Sequence, residues 1–464
     1  MPGESERQRQ PLPLIRRRVA SGRRASEQPN ATSDDVALTP RFWTALVLTG
    51  VATGLFSIGV MWFLGVVQRL AFGDPHGGSF TRAVAHSSDL RRITCLLIAG
   101  VVGAAGWYLI RRYLSHERSE IDDALWEGDG DLAVRRSFLT SVLSVFVIGM
   151  GASLGREAAP KLMGGASGSF LSGRFGLSPR QRRLLVACGG GAGLAAVYNV
   201  PLGGALFAAE VLYGSFALPV VLPTLVCSLV ATATAWLYLP RSATYGAIGS
   251  FRFSASLMVW SLLVGFVIGA LAVLYVRLIG WVSHHRATGA QLFVAVPSAF
   301  LVLALVGLGL PQLFGNGADM AKGALLGASS LGLLFALFAL KPLVTALCLG
   351  SGATGGVFTP FLATGAALGA LLGALWSDVW PGSPVGAFAL VGAAAMIAAV
   401  MQAPLAGLVL VIELTHTGLA IAVPMMAAAV IATWFVRQID GYSIYTARLP
   451  HRPPMSVPTS PTLE

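Results

Sequence analysis

The chain has 464 residues, 55% of them hydrophobic and only 11% charged, and its mean hydropathy is +0.71. So little charge over so many long apolar runs excludes a soluble globular domain and describes a polytopic helical membrane protein. The net charge of +11 does not point to nucleic acid, because the arginines gather at the N-terminus and in short loops, the distribution that orients membrane helices.

Residues 1–40 are rich in Arg, Ser, Pro and Gln and hold nothing that could bury a core, so they read as a disordered tail. No apolar stretch precedes residue 44, which argues against a cleavable signal peptide. Arg16-Arg17-Arg18 and Arg23-Arg24 place this tail in the cytoplasm. Apolar segments follow at about 44–70, 93–110, 137–153, 157–172, 183–198, 202–212 and 218–238, then 257–284, 291–311, 318–350, 358–375, 385–400, 404–416 and 419–437. Several are too short to cross a hydrocarbon core of about 30 Å alone. The 55 glycines suit close packing of membrane helices. Cys95, Cys188, Cys227 and Cys348 stand singly in apolar runs without metal spacing, so no metal or cofactor is expected. The chain leaves its last helix near Arg448, and residues 450–464 read as a short tail, also cytoplasmic.

The segment after 137–153 opens with Gly155-Arg156-Glu157-Ala158-Ala159-Pro160, an ionisable pair inside an apolar, glycine-rich stretch. A carboxylate at membrane depth is costly and marks an ion pathway by default. Glu157 follows a glycine where a helix would begin, and a helix start offers free N–H groups and a positive dipole end to an anion or to a carboxylate standing in for one. The same pattern returns. Ala195 through Gly204 (Ala-Ala-Val-Tyr-Asn-Val-Pro-Leu-Gly-Gly), ending at Glu210, matches Ala398 through Gly407 (Ala-Ala-Val-Met-Gln-Ala-Pro-Leu-Ala-Gly), ending at Glu413, at a constant offset of 203. Gly155 and Pro160 match Gly355 and Pro360 at an offset of 200. Two inverted repeats, about 93–238 and 291–437, would bring the helix starts near 157 and 357 to one mid-membrane point.

These residues resemble the CLC chloride channel and transporter family over roughly residues 44–449. Gly155-Arg156-Glu157 resembles the GRE(GP) motif, and Gly350 through Pro360 (Gly-Ser-Gly-Ala-Thr-Gly-Gly-Val-Phe-Thr-Pro) the GSGxxGGxFxP signature. Asn199 through Gly204 and Gln402 through Gly407 resemble NAPLAG, and Tyr445 lies where the family has a pore tyrosine. The resemblance implies an all-α membrane domain at 41–449, a CLC-type fold of short, tilted and re-entrant helices, and a homodimer in the lipid bilayer with one anion pore per subunit. It implies Glu157 as the gate, an anion site built on Gly355, Gly356, Val357 and Phe358, and a hydroxyl donated by Tyr445.

Three departures bear on mechanism. The motif reads Gly-Arg-Glu-Ala-Ala-Pro, which sets Lys161 just behind the gate. The GSGIP motif that supplies a serine hydroxyl is not found; Ser115-His116-Glu117-Arg118-Ser119 stands there, leaving Ser115 or Ser119 to substitute. The inner glutamate of proton-coupled members is Val211 here, as in the channels.

Each residue has a plainer reading. Glu157 could be a structural ion pair with Arg156 or Lys161. Arg156 is expected to fix the local backbone. Lys161 either raises the positive potential or snorkels to the interface. Glu210 and Glu413, related by the repeat, suggest matched structural roles, Tyr445 could be an interfacial anchor, and His116 a solvated loop residue. Gly151-Ala152-Ser153-Leu154-Gly155 fits the nucleophile-elbow pattern, which needs a strand, a turn and a histidine partner. Gly350 through Gly355 fits a dinucleotide-binding pattern that needs a βαβ unit. The expected function is therefore chloride transport in a plasma (inner) membrane, not enzymatic, gated by Glu157, and passive or only loosely coupled to protons. Strict chloride/proton antiport is the alternative. Fluoride export and a membrane-embedded serine hydrolase are remoter, and Phe358 argues against fluoride.

Overall fold

A computed structural model describes residues 36–73, 78–114, 120–126, 128–246 and 248–449. The start of the first helix is written in its sequence: Thr39 Oγ1 accepts the Phe42 N–H at 3.3 Å, and Pro40 occupies a position whose N–H has no helical partner. From there α1 (Pro40–Phe72), α2 (Phe80–His86), α3 (Asp89–Tyr113), α4 (Ile121–Trp126) and α5 (Val134–Gly149) lead to α6 (Ala158–Arg174). Then come α7 (Pro179–Tyr198), α8 (Pro201–Phe207) with a π-helical turn at Ala208–Tyr213, and α9 (Leu218–Ala235). The second half holds α10 (Ala255–His284), α11 (Leu292–Gly309), α12 (Ala318–Leu325), α13 (Leu331–Gly350) and α14 (Phe358–Val379). It closes with α15 (Val385–Met401), α16 (Pro404–Thr415) and α17 (Ala422–Ile439). Among the described residues eight helices are long and apolar enough to cross a membrane.

The expected segment 318–350 is two helices, not one. Gly327 at φ 65° turns the chain, and Ser330 caps α13 through the Leu333 N–H. The segment expected at 202–212 changes from α-helix to π-helix at Ala208.

The two halves repeat in detail. Gly151 and Gly352 both have positive φ, at 113° and 96°, and Asn199 and Gln402 both end their helices in the left-handed region at φ 57°. The reciprocal contacts of a two-fold follow. Glu210 accepts the N–H groups of Leu405 (3.4 Å) and Ala406 (2.6 Å), while Glu413 accepts those of Leu202 (3.1 Å) and Gly203 (2.6 Å). Each glutamate caps the proline-led helix of the other repeat, the structural role expected of the pair. α7 and α15, matching elements, lie almost wholly enclosed at the centre. α6 crosses α7 where Gly164 faces Gly189; a Cβ on either would meet the other's carbonyl, so only glycine allows this approach.

Candidate functional site

After α5, Gly151 turns the chain, and Gly155 exchanges two backbone hydrogen bonds with Gly356: Gly155 N–H to the Gly356 carbonyl at 2.6 Å, and the reverse at 2.8 Å. This short antiparallel bridge fixes the starts of α6 and α14 side by side. Pro160 sits in the first turn of α6, where a missing N–H costs nothing.

Glu157 is the N-cap residue of α6, yet its carboxylate does not cap its own helix. It reaches across to α14. Oε1 accepts the Phe358 N–H at 2.8 Å, and Oε2 accepts from the Tyr198 and Thr359 hydroxyls, each at 3.2 Å. Those two hydroxyls lie 2.6 Å apart. The carboxylate is buried, 5% exposed, and no ion pair with Arg156 or Lys161 occurs among the described residues. One amide and two hydroxyls at the positive end of a 22-residue helix form an anion clamp, with a carboxylate seated in it.

The other expected site residues divide. Gly355 packs its Cα against Leu154, and a side chain on Gly356 would strike the Glu157 carboxylate, so both glycines clear space. The Gly356 amide is engaged by Gly155 and is not free for an anion, a correction to the expected set of donors. Val357 is the N-cap of α14, its carbonyl taken by the Phe361 N–H at 3.1 Å. The Tyr445 hydroxyl lies 3.9 Å from Met401 Sδ, and its ring packs edge-on against Phe207. Arg156 places its guanidinium 5.0 Å from the centre of the Tyr198 ring, holding one wall of the clamp. Lys161 is mostly buried: its Nζ lies 3.5 Å from Asp122 Oδ1 and 4.7 Å from the centre of the Tyr445 ring. Ser119, with Ser115 and His116, lies outside the described residues.

A cavity of about 230 Å³ reaches Arg156 and Tyr245 beside the clamp, with Gln68, Asn316, Asp319 and Lys322 on its polar wall. Ser153 is buried against Thr345, with 3.4 Å between hydroxyls, in a turn between helices; among the described residues no strand precedes it, as a nucleophile elbow would need.

Sequence reading passed over Tyr198, Thr359 and Asp122. The available signal was Tyr198, a hydroxyl near the end of a buried apolar helix, which has to find a partner.

The sequence profile of the family described as voltage gated chloride channel matches residues 97–437. The chain is 30% identical to the "Voltage-gated ClC-type chloride channel ClcB" of Salmonella typhi, over 79% of this chain and 89% of that one. It is 29% identical to the "H(+)/Cl(-) exchange transporter ClcA" of Yersinia pseudotuberculosis, over 87% of this chain and 86% of the other. Its fold superposes on the crystal structure of a slow cyanobacterial Cl⁻/H⁺ antiporter with a TM-score of 0.77 at 23% identity, over 88% of this chain and 97% of that one.

Proposed function

The chain belongs to the voltage-gated chloride channel family, and on that footing we propose that it exchanges chloride for protons across a membrane, with Glu157 as the group for which both ions compete. The observation that carries this reading is the Glu157 carboxylate seated on the Phe358 N–H between the Tyr198 and Thr359 hydroxyls. A donor set that holds a carboxylate suits a chloride ion, so the two are alternatives for one place. Protonation removes the charge that the helix start holds, and the side chain then yields the position to the anion. Returning to the clamp as a carboxylate, Glu157 displaces chloride and releases its proton. One residue thereby links the two movements. Coupling is favoured over the passive or loosely coupled flux expected from Val211, because the Yersinia relative over most of this chain's length is named an exchanger.

In the same reading, an inner anion position lies between the amides at the start of α14 and the Tyr445 hydroxyl, and Arg156 faces the entrance cavity. The protein works as a homodimer with both termini in the cytoplasm. The test is the reversal potential of reconstituted protein under opposed chloride and proton gradients. A shift with the proton gradient at fixed stoichiometry supports exchange. A potential that follows chloride alone supports the second reading, passive conduction, which the apolar Val211 in the buried π-helical turn favours.

A further inference from the structure

A proton path needs titratable groups or a water chain, and the candidate groups inside the helices sort by their partners. Glu210 and Glu413 are held by pairs of backbone N–H groups at helix starts. Lys341, fully buried, gives its Nζ to the carbonyls of Leu313 at 3.1 Å and Gly315 at 2.8 Å, two fixed backbone acceptors that hold it in place. Lys161 and Asp122 differ: they are paired with each other, with the ammonium over the Tyr445 ring. Lys161 follows Glu157 by four residues, one turn along the same face of α6, and its N–H bonds the Glu157 carbonyl at 3.1 Å. Its stem passes Gly190 of α7, where Ile121 and Leu212 also converge. The two side chains are 15% and 12% exposed, so the pair is mostly dry but reachable.

We propose that Lys161 and Asp122 form the inner half of the proton route to Glu157, an assignment that rests on the exchange reading. The ammonium leaves Asp122, swings on its four-carbon stem and gives one proton to the Glu157 carboxylate: an Nζ–H bond breaks as an Oε–H bond forms, leaving a neutral amine and a neutral carboxyl. Asp122, protonated from the inner side, passes that proton to Nζ and restores the pair. One proton moves and no charge is created. Other charged groups frame this pair. Asp123 shares α4, and Glu120 precedes it in an ion pair with Arg286 at 2.9 Å. Arg183 of α7 donates to the Leu125 carbonyl at 2.8 Å, and Arg448 follows Tyr445.

The experiment uses the full chain in liposomes, with chloride and proton fluxes read together. Lys161→Arg keeps the charge and the reach to Asp122, but a guanidinium does not give up its proton. Proton flux in Lys161→Arg should fall about 100-fold, the low end for loss of a positioned proton-transfer group, while chloride flux persists and the reversal potential moves to the chloride value. Asp122→Asn should do the same. Unchanged stoichiometry in Lys161→Arg overturns the relay. Loss of both fluxes in both variants marks the pair as structural and also overturns it. A wild-type protein without proton coupling removes the exchange reading itself, and the relay with it.

Discussion

Three donors converge on Glu157, and they are not equivalent. The Phe358 amide is fixed by the backbone of α14, whereas the Tyr198 and Thr359 hydroxyls are side chains that substitution can remove without moving a helix. A hydrogen bond to a charged group contributes about 1.5–3 kcal/mol. Tyr198→Phe removes that donor from carboxylate and chloride alike, but the carboxylate is the stronger acceptor and loses more, so chloride should displace it more readily. The chloride concentration for half-maximal flux should fall, by less than the roughly tenfold that the whole bond would give if the carboxylate alone lost it, and flux titrations in liposomes would measure it. A concentration unchanged from wild type would mean that the tyrosine only fills space. Removing the carboxylate altogether is the stronger test of gating. Glu157→Gln and Glu157→Ala should both conduct anions constitutively and without response to external pH, and retained pH dependence in either variant would unseat Glu157 as the gate.

At the level of elements, the two glutamates that end the repeat motif act on each other's half. Glu210 and Glu413 each close two N–H groups at the start of a proline-led helix, α16 and α8 respectively. Truncating either to alanine should cost about 0.5–2 kcal/mol, the usual range for a lost cap, and the two losses should be of similar size because a two-fold relates them. Thermal unfolding in detergent would show this; a large loss from one and none from the other would break the symmetry argument. This exchange of caps also marks how far the sequence could be read. The 203-residue offset exposed α7–α8 and α15–α16 as equivalents, because the repeat preserves proline, glycine and glutamate at fixed places. It did not reveal α2, α4 or the break between α12 and α13, since helices of six to eight residues are held by packing rather than by local propensity. In the site, Glu157 and Phe358 stood out as a charge and a helix start within glycine-rich runs. Tyr198, Thr359 and Asp122 did not, because a lone polar residue gains meaning only from what the fold places opposite it: Asp122 lies 39 residues before Lys161 in the chain.

Across the whole molecule, the halves are pinned together by polar contacts as well as by the Gly155–Gly356 bridge. Arg111 donates to the Gly352 carbonyl at 2.6 Å, and Arg286 to Glu120 Oε1 at 2.9 Å. The Arg111 contact joins the first repeat to a loop within the second repeat, the Arg286 contact joins it to the loop just before the second repeat, and Glu120 immediately precedes the helix that carries Asp122. Burial works to raise the proton affinity of Glu120, but Arg448, Arg286 and Arg111 overcome it and hold the carboxyl at about 2, against an ordinary value of 4.5. The sign follows from linkage. A group whose folded value is depressed contributes stability that is complete above its unfolded value and is lost as pH falls through the folded one. The clasp between the halves should thus be at full strength at neutral pH and weaken between about pH 4.5 and 2. Glu120→Gln should lower stability at neutral pH and flatten the acid limb of the stability curve in that window, while leaving the curve above it parallel to wild type. Because the contact joins the halves rather than touching the clamp, chloride flux at neutral pH should survive the substitution. Unfolding of both proteins, followed from pH 7 to pH 2, would decide it. An acid limb as steep in Glu120→Gln as in wild type would assign the acid sensitivity to other carboxylates.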